Sequence, residues 1–278
     1  MAPLRFSANL SWLFREQAEL PDRFRAAAAA GFQAVEVAWP YAYEAARLRD
    51  AARGSGLRVT LLNTPPGNTE KGEMGLGAVP GHQLEFQKGL AQAVSYAKAL
   101  DCKRIHIMAG RIPAELDGKT VTAEMETTFV ENLKFAASVL EQENIIGLLE
   151  PINNRVTEPQ YYLNTPQQAV AILQKVGSPN LKLQMDVFHW QIMDGNLTQN
   201  IQTYFPLIGH IQIAQVPNRD EPDSPGELNF PYLFDLLEKL KYEGFVGCEY
   251  SPRGGTVEGL CWLQSYWKKR GLLADDAN

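Results

Sequence analysis

Leu181-Lys182-Leu183-Gln184-Met185-Asp186 is a short apolar run that ends on a carboxylate, and Val187-Phe188-His189-Trp190 follows it directly. Three other stretches are also apolar runs that close on polar side chains: Ile145-Ile146-Gly147-Leu148-Leu149-Glu150, His210-Ile211-Gln212-Ile213-Ala214-Gln215 and Phe245-Val246-Gly247-Cys248-Glu249-Tyr250, the first and last of them with a carboxylate. Such near-continuous apolar runs mark parallel strands covered on both faces. A carboxylate at the end of one carries a heavy desolvation cost unless a partner offsets it. Three of them on strands that converge at one mouth would also repel one another.

Working outward, residues 4–9, 34–38, 57–63 and 104–108 read as four further strands, which makes eight with 145–150, 181–186, 210–215 and 245–250. The spacing predicts helices over 21–30, 83–100, 122–142, 165–176, 230–241 and 257–270. In the third of these, Met125, Phe129, Leu133, Ala136 and Leu140 recur at steps of three and four. Thr165-Pro166 opens the fourth with a cap followed by proline in the first turn. Eight strand–helix units in 278 residues give roughly 35 residues each, the size of a βαβ crossover. Parallel strands require such crossovers. An open doubly wound sheet would show a glycine-rich turn after its first strand, where this chain has Asn9-Leu10-Ser11-Trp12. The expected fold is therefore a single-domain (β/α)8 TIM barrel spanning residues 1–278. Its site would lie at the C-terminal ends of the strands. Two connections at that end are long, 64–80 and 217–229, and the first is expected to act as a lid.

Composition narrows the function. The chain is 45% hydrophobic and 21% charged, which suits a large core and excludes a disordered class. A net charge of −6 opposes a nucleic-acid partner. No segment approaches the roughly 18 apolar residues of a membrane span, and no leader or organelle address is visible, so a cytoplasmic enzyme is expected. Cys102, Cys248 and Cys261 read as reduced thiols. The sequon Asn196-Leu197-Thr198 is then incidental.

Glu150, Asp186 and Glu249, joined by the amide of Gln212, need a positive partner. Arginine is one solution, with Arg155, Arg219 and Arg253 as candidates. A divalent metal is the other, and hard oxygen ligands favour Mg²⁺ or Mn²⁺ over zinc. No organic cofactor is expected. His189, three residues past Asp186, and His106 are candidate substrate contacts, as are Asn63 and Arg219, while Glu36 and Trp12 stand where they could line the pocket. The partner expected is a small-molecule substrate, and a homo-oligomer is compatible with this reading.

Leu149-Glu150-Pro151-Ile152-Asn153, Gln184-Met185-Asp186-Val187-Phe188-His189, His210-Ile211-Gln212-Ile213-Ala214-Gln215 and Gly247-Cys248-Glu249-Tyr250 together resemble the hydroxypyruvate isomerase family. That family is a branch of the xylose-isomerase-like barrels, and the likeness is to its vertebrate members. It extends to residues 6–14, Asn63-Thr64-Pro65-Pro66-Gly67, 104–110 and Glu227-Leu228-Asn229-Phe230, and so covers nearly the whole chain. The resemblance implies interconversion of hydroxypyruvate and 2-hydroxy-3-oxopropanoate (tartronate semialdehyde). It also implies Glu150 and Glu249 as proton donor and acceptor. Many relatives in the wider superfamily have a histidine ligand where this chain has Gln212. Its sugar epimerases carry a further glutamate after the fifth strand, in the region of Glu158. Two other readings stay open: a metal-dependent ketose 3-epimerase using the same residues, and a noncatalytic binding barrel. His189, Arg219 or Lys71 would receive the substrate's carboxylate.

Overall fold

The computed structural model describes residues 2–113 and 118–273. Eight strands form where the apolar runs lie: β1 (Arg5–Asn9), β2 (Ala34–Val37), β3 (Arg58–Asn63), β4 (Arg104–His106), β5 (Ile146–Leu149), β6 (Leu181–Asp186), β7 (Ile208–Ile213) and β8 (Phe245–Cys248). Each pairs in parallel with the next, and β8 closes on β1. All four residues of β2 and of β8 are buried, as strands covered on both faces require. The register sets Asp186 beside Gln212, Gln212 beside Gly247 and Gly247 beside Ser7. Those four positions run round the barrel, and the site grows from them.

The expected barrel is present, with differences that have local causes. β5 stops at Leu149 and β8 at Cys248, so Glu150 and Glu249 stand one residue past the strands. The helices are α1 (Leu20–Ala29), α2 (Ala45–Gly54), α3 (Gln83–Ala99), α4 (Gly118–Gln142), α5 (Pro166–Val176), α6 (Val187–Met193), α7 (Leu197–Tyr204), α8 (Phe230–Lys239) and α9 (Cys261–Lys269). Three of them, α2, α6 and α7, lie outside the expected helical segments. Helix α2 buries only Leu48 and Ala52, too few to give a clear apolar stripe. Helix α6 begins where the strand ends, because the Asp186 side chain accepts the Phe188 backbone N–H at 2.8 Å. One carboxylate thus closes a strand and caps a helix. Where capping was expected at α5, Thr165 accepts the Gln168 N–H. Phe6 meets Phe234, Trp262 and Tyr266 edge-on and seals β1 against α8 and α9.

Both long connections are ordered by specific bonds. The first crosses the segment after β4: Gly77 donates to Met108 O at 3.0 Å, Ala78 to Ala109 O at 2.7 Å, and Asn132 Nδ2 to Gly77 O at 2.8 Å. Gly75 has φ +102°, and a Cβ there would lie 2.5 Å from that of Met108, so only glycine permits this approach. The expected lid is therefore docked. In the second connection Gln215 Nε2 donates to the carbonyls of Pro222, Ser224 and Leu228, and its oxygen accepts from Val216 and Leu228. This single buried amide shapes the loop that carries Arg219. Among the described residues no helix is long and apolar enough to cross a membrane.

Candidate active site

The acids meet at the C-terminal mouth of the barrel. Arg219 Nη2 lies 3.3 Å from Asp186 Oδ2 and 3.3 Å from Glu249 Oε1. Its guanidinium stacks 4.4 Å from the Trp12 ring and 5.0 Å from the Phe188 ring. Trp12 Nε1 adds a donor to Glu249 Oε1 at 3.1 Å. Glu150 belongs to a second group: its Oε2 accepts Gln184 Nε2 at 3.0 Å, and the same amide donates to Gln212 Oε1 at 2.6 Å. Gln212 Nε2 in turn donates to Glu36 Oε2 at 3.0 Å.

These surroundings change proton affinities. Burial, then repulsion from Glu249 and Asp186, holds the Glu150 carboxyl well above its usual range. Burial raises Asp186 against the pull of Arg219. Burial likewise lifts Glu249 to about 8, although Arg219 opposes the change. Burial pushes His106 down to about 3, so its imidazole is neutral at pH 7. Glu36 behaves differently. Burial pushes it up, yet His210, Ser7 and Gln212 together bring it below the ordinary value.

Arginine is thus part of the answer to the acidic cluster. When all three are ionised, the carboxylates against one guanidinium leave two negative charges unbalanced, which is the charge of one divalent cation. Glu150, Asp186 and His189 each offer a ligand atom within 4.8 Å of the others. His189 is the weaker member of that trio. Its Nδ1 receives both the side-chain amide of Asn153 at 2.7 Å and the Asn153 backbone N–H at 3.3 Å. The Asn153 oxygen is occupied by the N–H groups of Val156 and Thr157, which fixes the amide's orientation. With two donors on Nδ1, the imidazole proton sits on Nε2. A metal-bound histidine has the opposite arrangement, donating from its outer nitrogen. His189 therefore presents an N–H, 3.6 Å from Asp186 Oδ2 and 3.8 Å from Glu150 Oε1. By donor chemistry the oxygens of Glu150, Asp186, Glu249 and Gln212 suit a hard divalent cation, and of the four Glu150 and Asp186 stand in that 4.8 Å group.

A cavity of about 250 Å³ brings Asn63, His106, Glu150, His189, Arg219 and Glu249 together, along with Trp12, Trp39, Met74 from the lid, and Glu158. Asp186 and Gln212, both buried, lie outside its wall. Arg155 does not line the cavity, and Arg253 pairs with Glu221. The residue reading missed Gln184, Asn153 and Arg111. Arg111 joins Glu158 to the lid carbonyl of Gly72, donating to the latter at 2.7 Å. Asn153 had a signal, since it closes the quoted Glu150–Asn153 motif. Gln184 had one too, two residues before Asp186 on the same strand face. A larger cavity of about 600 Å³ lies by Phe234, Trp262 and Tyr266 and holds none of the acids.

Gly247 makes room for this arrangement, because a Cβ there would stand 2.2 Å from Glu36 Oε1. Gly247→Ala is expected to destabilise the protein by about 1–3 kcal/mol, the usual range for overpacking a tight core. Urea melts of both proteins would measure it, and equal stabilities would mean that the carboxylate moves aside freely.

A family model described as a xylose isomerase-like TIM barrel matches residues 24–266. The human protein named "Putative hydroxypyruvate isomerase" is 69% identical over 271 residues, covering 98% of each chain. The Cupriavidus necator "2-oxo-tetronate isomerase" is 47% identical, over 94% of this chain and 98% of its own. The Escherichia coli "Hydroxypyruvate isomerase" is 43% identical, over 95% and 99%. A Brucella melitensis crystal structure described as an AP endonuclease of family 2 superposes with a TM-score of 0.89 at 43% identity, over 95% and 99%.

Proposed function

The chain belongs to the xylose isomerase-like TIM barrels, in their hydroxypyruvate isomerase branch, and on that footing we propose that it interconverts hydroxypyruvate and 2-hydroxy-3-oxopropanoate. The observation that carries the proposal is a pair of carboxylates, Glu150 and Glu249, both with raised proton affinity, facing one small cavity.

The reaction removes a proton from the hydroxymethyl carbon of hydroxypyruvate and returns one to the neighbouring carbonyl carbon. A hydroxyl proton moves in the same direction, from the hydroxymethyl oxygen to the former carbonyl oxygen, through an enediolate. A group that both takes and gives protons works best with a pKa near the working pH. Glu249, at about 8, meets that condition, and burial shifts Glu150 in the same direction. His189 offers its Nε2 proton, and Arg219 its Nε–H, which has no hydrogen-bond partner among the described residues, to the substrate's oxygens. Met74 and Trp39 on the rim limit the access of water. Glu150, Asp186, Gln212 and Glu249 would hold Mg²⁺ or Mn²⁺, which when bound supplies Lewis-acid stabilisation of negative charge on the substrate oxygens.

A second reading, 2-oxo-tetronate as substrate, is favoured by the relative of that name at 47% identity. It uses the same residues on one more carbon. Neutral ketose epimerisation would leave Arg219 and His189 without an anion to receive. A nucleic-acid substrate fits neither the net charge of −6 nor so small an acidic cavity. The free thiols Cys102, Cys248 and Cys261 are consistent with a cytosolic setting.

Purified protein is to be assayed by NMR with hydroxypyruvate, 2-oxo-tetronate and a hexulose. Turnover of the hexulose alone would sink the proposal. Chelation and desalting are expected to abolish hydroxypyruvate turnover, and Mn²⁺ or Mg²⁺ to restore it. Full activity after verified metal removal would reject the cation and spare the glutamate pair.

A further inference from the structure

Glu36 lies outside the wall of the reaction cavity and is fully buried on β2. Its carboxylate collects donors from two other strands, β1 and β7: Ser7 Oγ at 2.7 Å, Asn9 Nδ2 at 3.4 Å, His210 Nε2 at 2.6 Å and Gln212 Nε2 at 3.0 Å. Four donors around a side chain that touches no part of the cavity are a costly provision unless it acts through a neighbour.

The neighbour is Gln212. The two ends of a glutamine amide are nearly the same shape, so only hydrogen bonds decide which end faces which way. A carboxylate accepts and cannot donate. Beside Glu36, the amide must turn its NH₂ inward, which sends its oxygen toward Gln184 and the acidic group. Gly247 supplies independent support, since a side chain there would take the space of the Glu36 carboxylate. We infer that Glu36 is a positioning residue that makes Gln212 an oxygen ligand, so that an amide serves in a carboxylate-rich cation shell. The inference rests on the cation reading above and adds a residue that makes neither metal nor substrate contact.

The test is Mn²⁺ affinity, read by electron paramagnetic resonance of the free ion, in proteins shown to be folded by circular dichroism. Glu36→Gln keeps the shape but can present NH₂ to Gln212, and is expected to weaken Mn²⁺ by about 10–100-fold, the usual effect of losing an orienting partner. Gln212→Glu alone sets two carboxylates against each other. Combined with Glu36→Gln it restores one donor and one acceptor with the polarity reversed, so the double variant should bind Mn²⁺ more tightly than Glu36→Gln. Should Glu36→Gln not fold, Ser7→Ala, which removes one bond from the carboxylate and keeps its charge, is expected to weaken Mn²⁺ as well. Parental affinity in folded Glu36→Gln, or in folded Ser7→Ala if it must stand in, overturns the inference, as does a double variant no tighter than Glu36→Gln. A parent protein that turns over hydroxypyruvate without binding Mn²⁺ overturns it too and leaves the isomerase reading standing. A parent that binds Mn²⁺ with this pattern but leaves hydroxypyruvate unchanged supports the inference and rejects the isomerase reading.

Discussion

Glu249→Gln is expected to lower kcat for hydroxypyruvate by about 10²–10⁴-fold, the range for removing a general acid or base, and yet to stabilise the cation-free protein at high pH. Burial raises Glu249 from 4.5 to about 8. A carboxyl with a raised folded-state pKa favours the fold fully below the unfolded value and loses that contribution as pH rises toward the folded one. Between pH 4.5 and about 8 the parent thus surrenders stability that the glutamine variant keeps. The difference in Tm, variant minus parent, should grow from pH 5 to pH 8 in chelated samples. Glu150→Gln should follow in the same direction, its carboxyl also being raised by burial and by Glu249. The kinetic effects of the two should not add, because both act on one proton transfer. A constant Tm difference across that range, or a kcat within about tenfold of the parent, would contradict the assignment.

Arg219→Met should be the most destabilising change at the site. The guanidinium lies between Asp186 and Glu249 and is 12% exposed. Removing one partner of a buried ion pair costs about 3–5 kcal/mol, because the other charge stays behind. Here two charges stay behind. Both carboxyls already hold protons more tightly than usual, and without arginine their proton affinity climbs further. The loss should therefore be large at pH 8 and mostly recovered at pH 5, where protonation removes the repulsion. Urea melts at the two pH values measure it, and a pH-independent loss would assign the effect to the lost stacking on Trp12 and Phe188 instead. Mn²⁺ should rescue the variant at pH 8 by supplying charge. Lysine should substitute poorly, since a point ammonium cannot stack between two rings and reach both acids.

The barrel could be read from the chain because its strands are continuous apolar runs, whose signal needs no partner to be seen. Helix α2 was invisible for the opposite reason: Ala45–Gly54 is mostly alanine and arginine with two buried residues. Helix α6 was hidden by Asp186, whose capping bond lets the strand run straight into it. Of the site, the acids were legible because a charge at the end of an apolar strand is conspicuous. Arg219 could be named as a candidate partner of the acids and a candidate substrate contact, but not placed between Asp186 and Glu249. Its place depends on a loop shaped by Gln215 and on a backbone φ of +59°, neither of which leaves a periodic trace. The proton on His189 Nε2 follows from Asn153, 36 residues away in sequence. Glu36 looked like one more pocket residue until its four donors were seen together.

Those long-range bonds bear on how the molecule is made. Trp12 and Glu249 are 237 residues apart, and Glu36 and Gln212 are 176 apart. The acids proposed for the chemistry lie in the later part of the chain, while Trp12 and Glu36, which bond to Glu249 and Gln212, lie in the turn after β1 and on β2. A chain emerging from the ribosome thus carries its orienting groups early and gains the last acid only with β8. Contacts this distant form late, after most loop-closure entropy has been spent. The docking of β8 on β1 is the step that turns a string of strand–helix units into a catalyst.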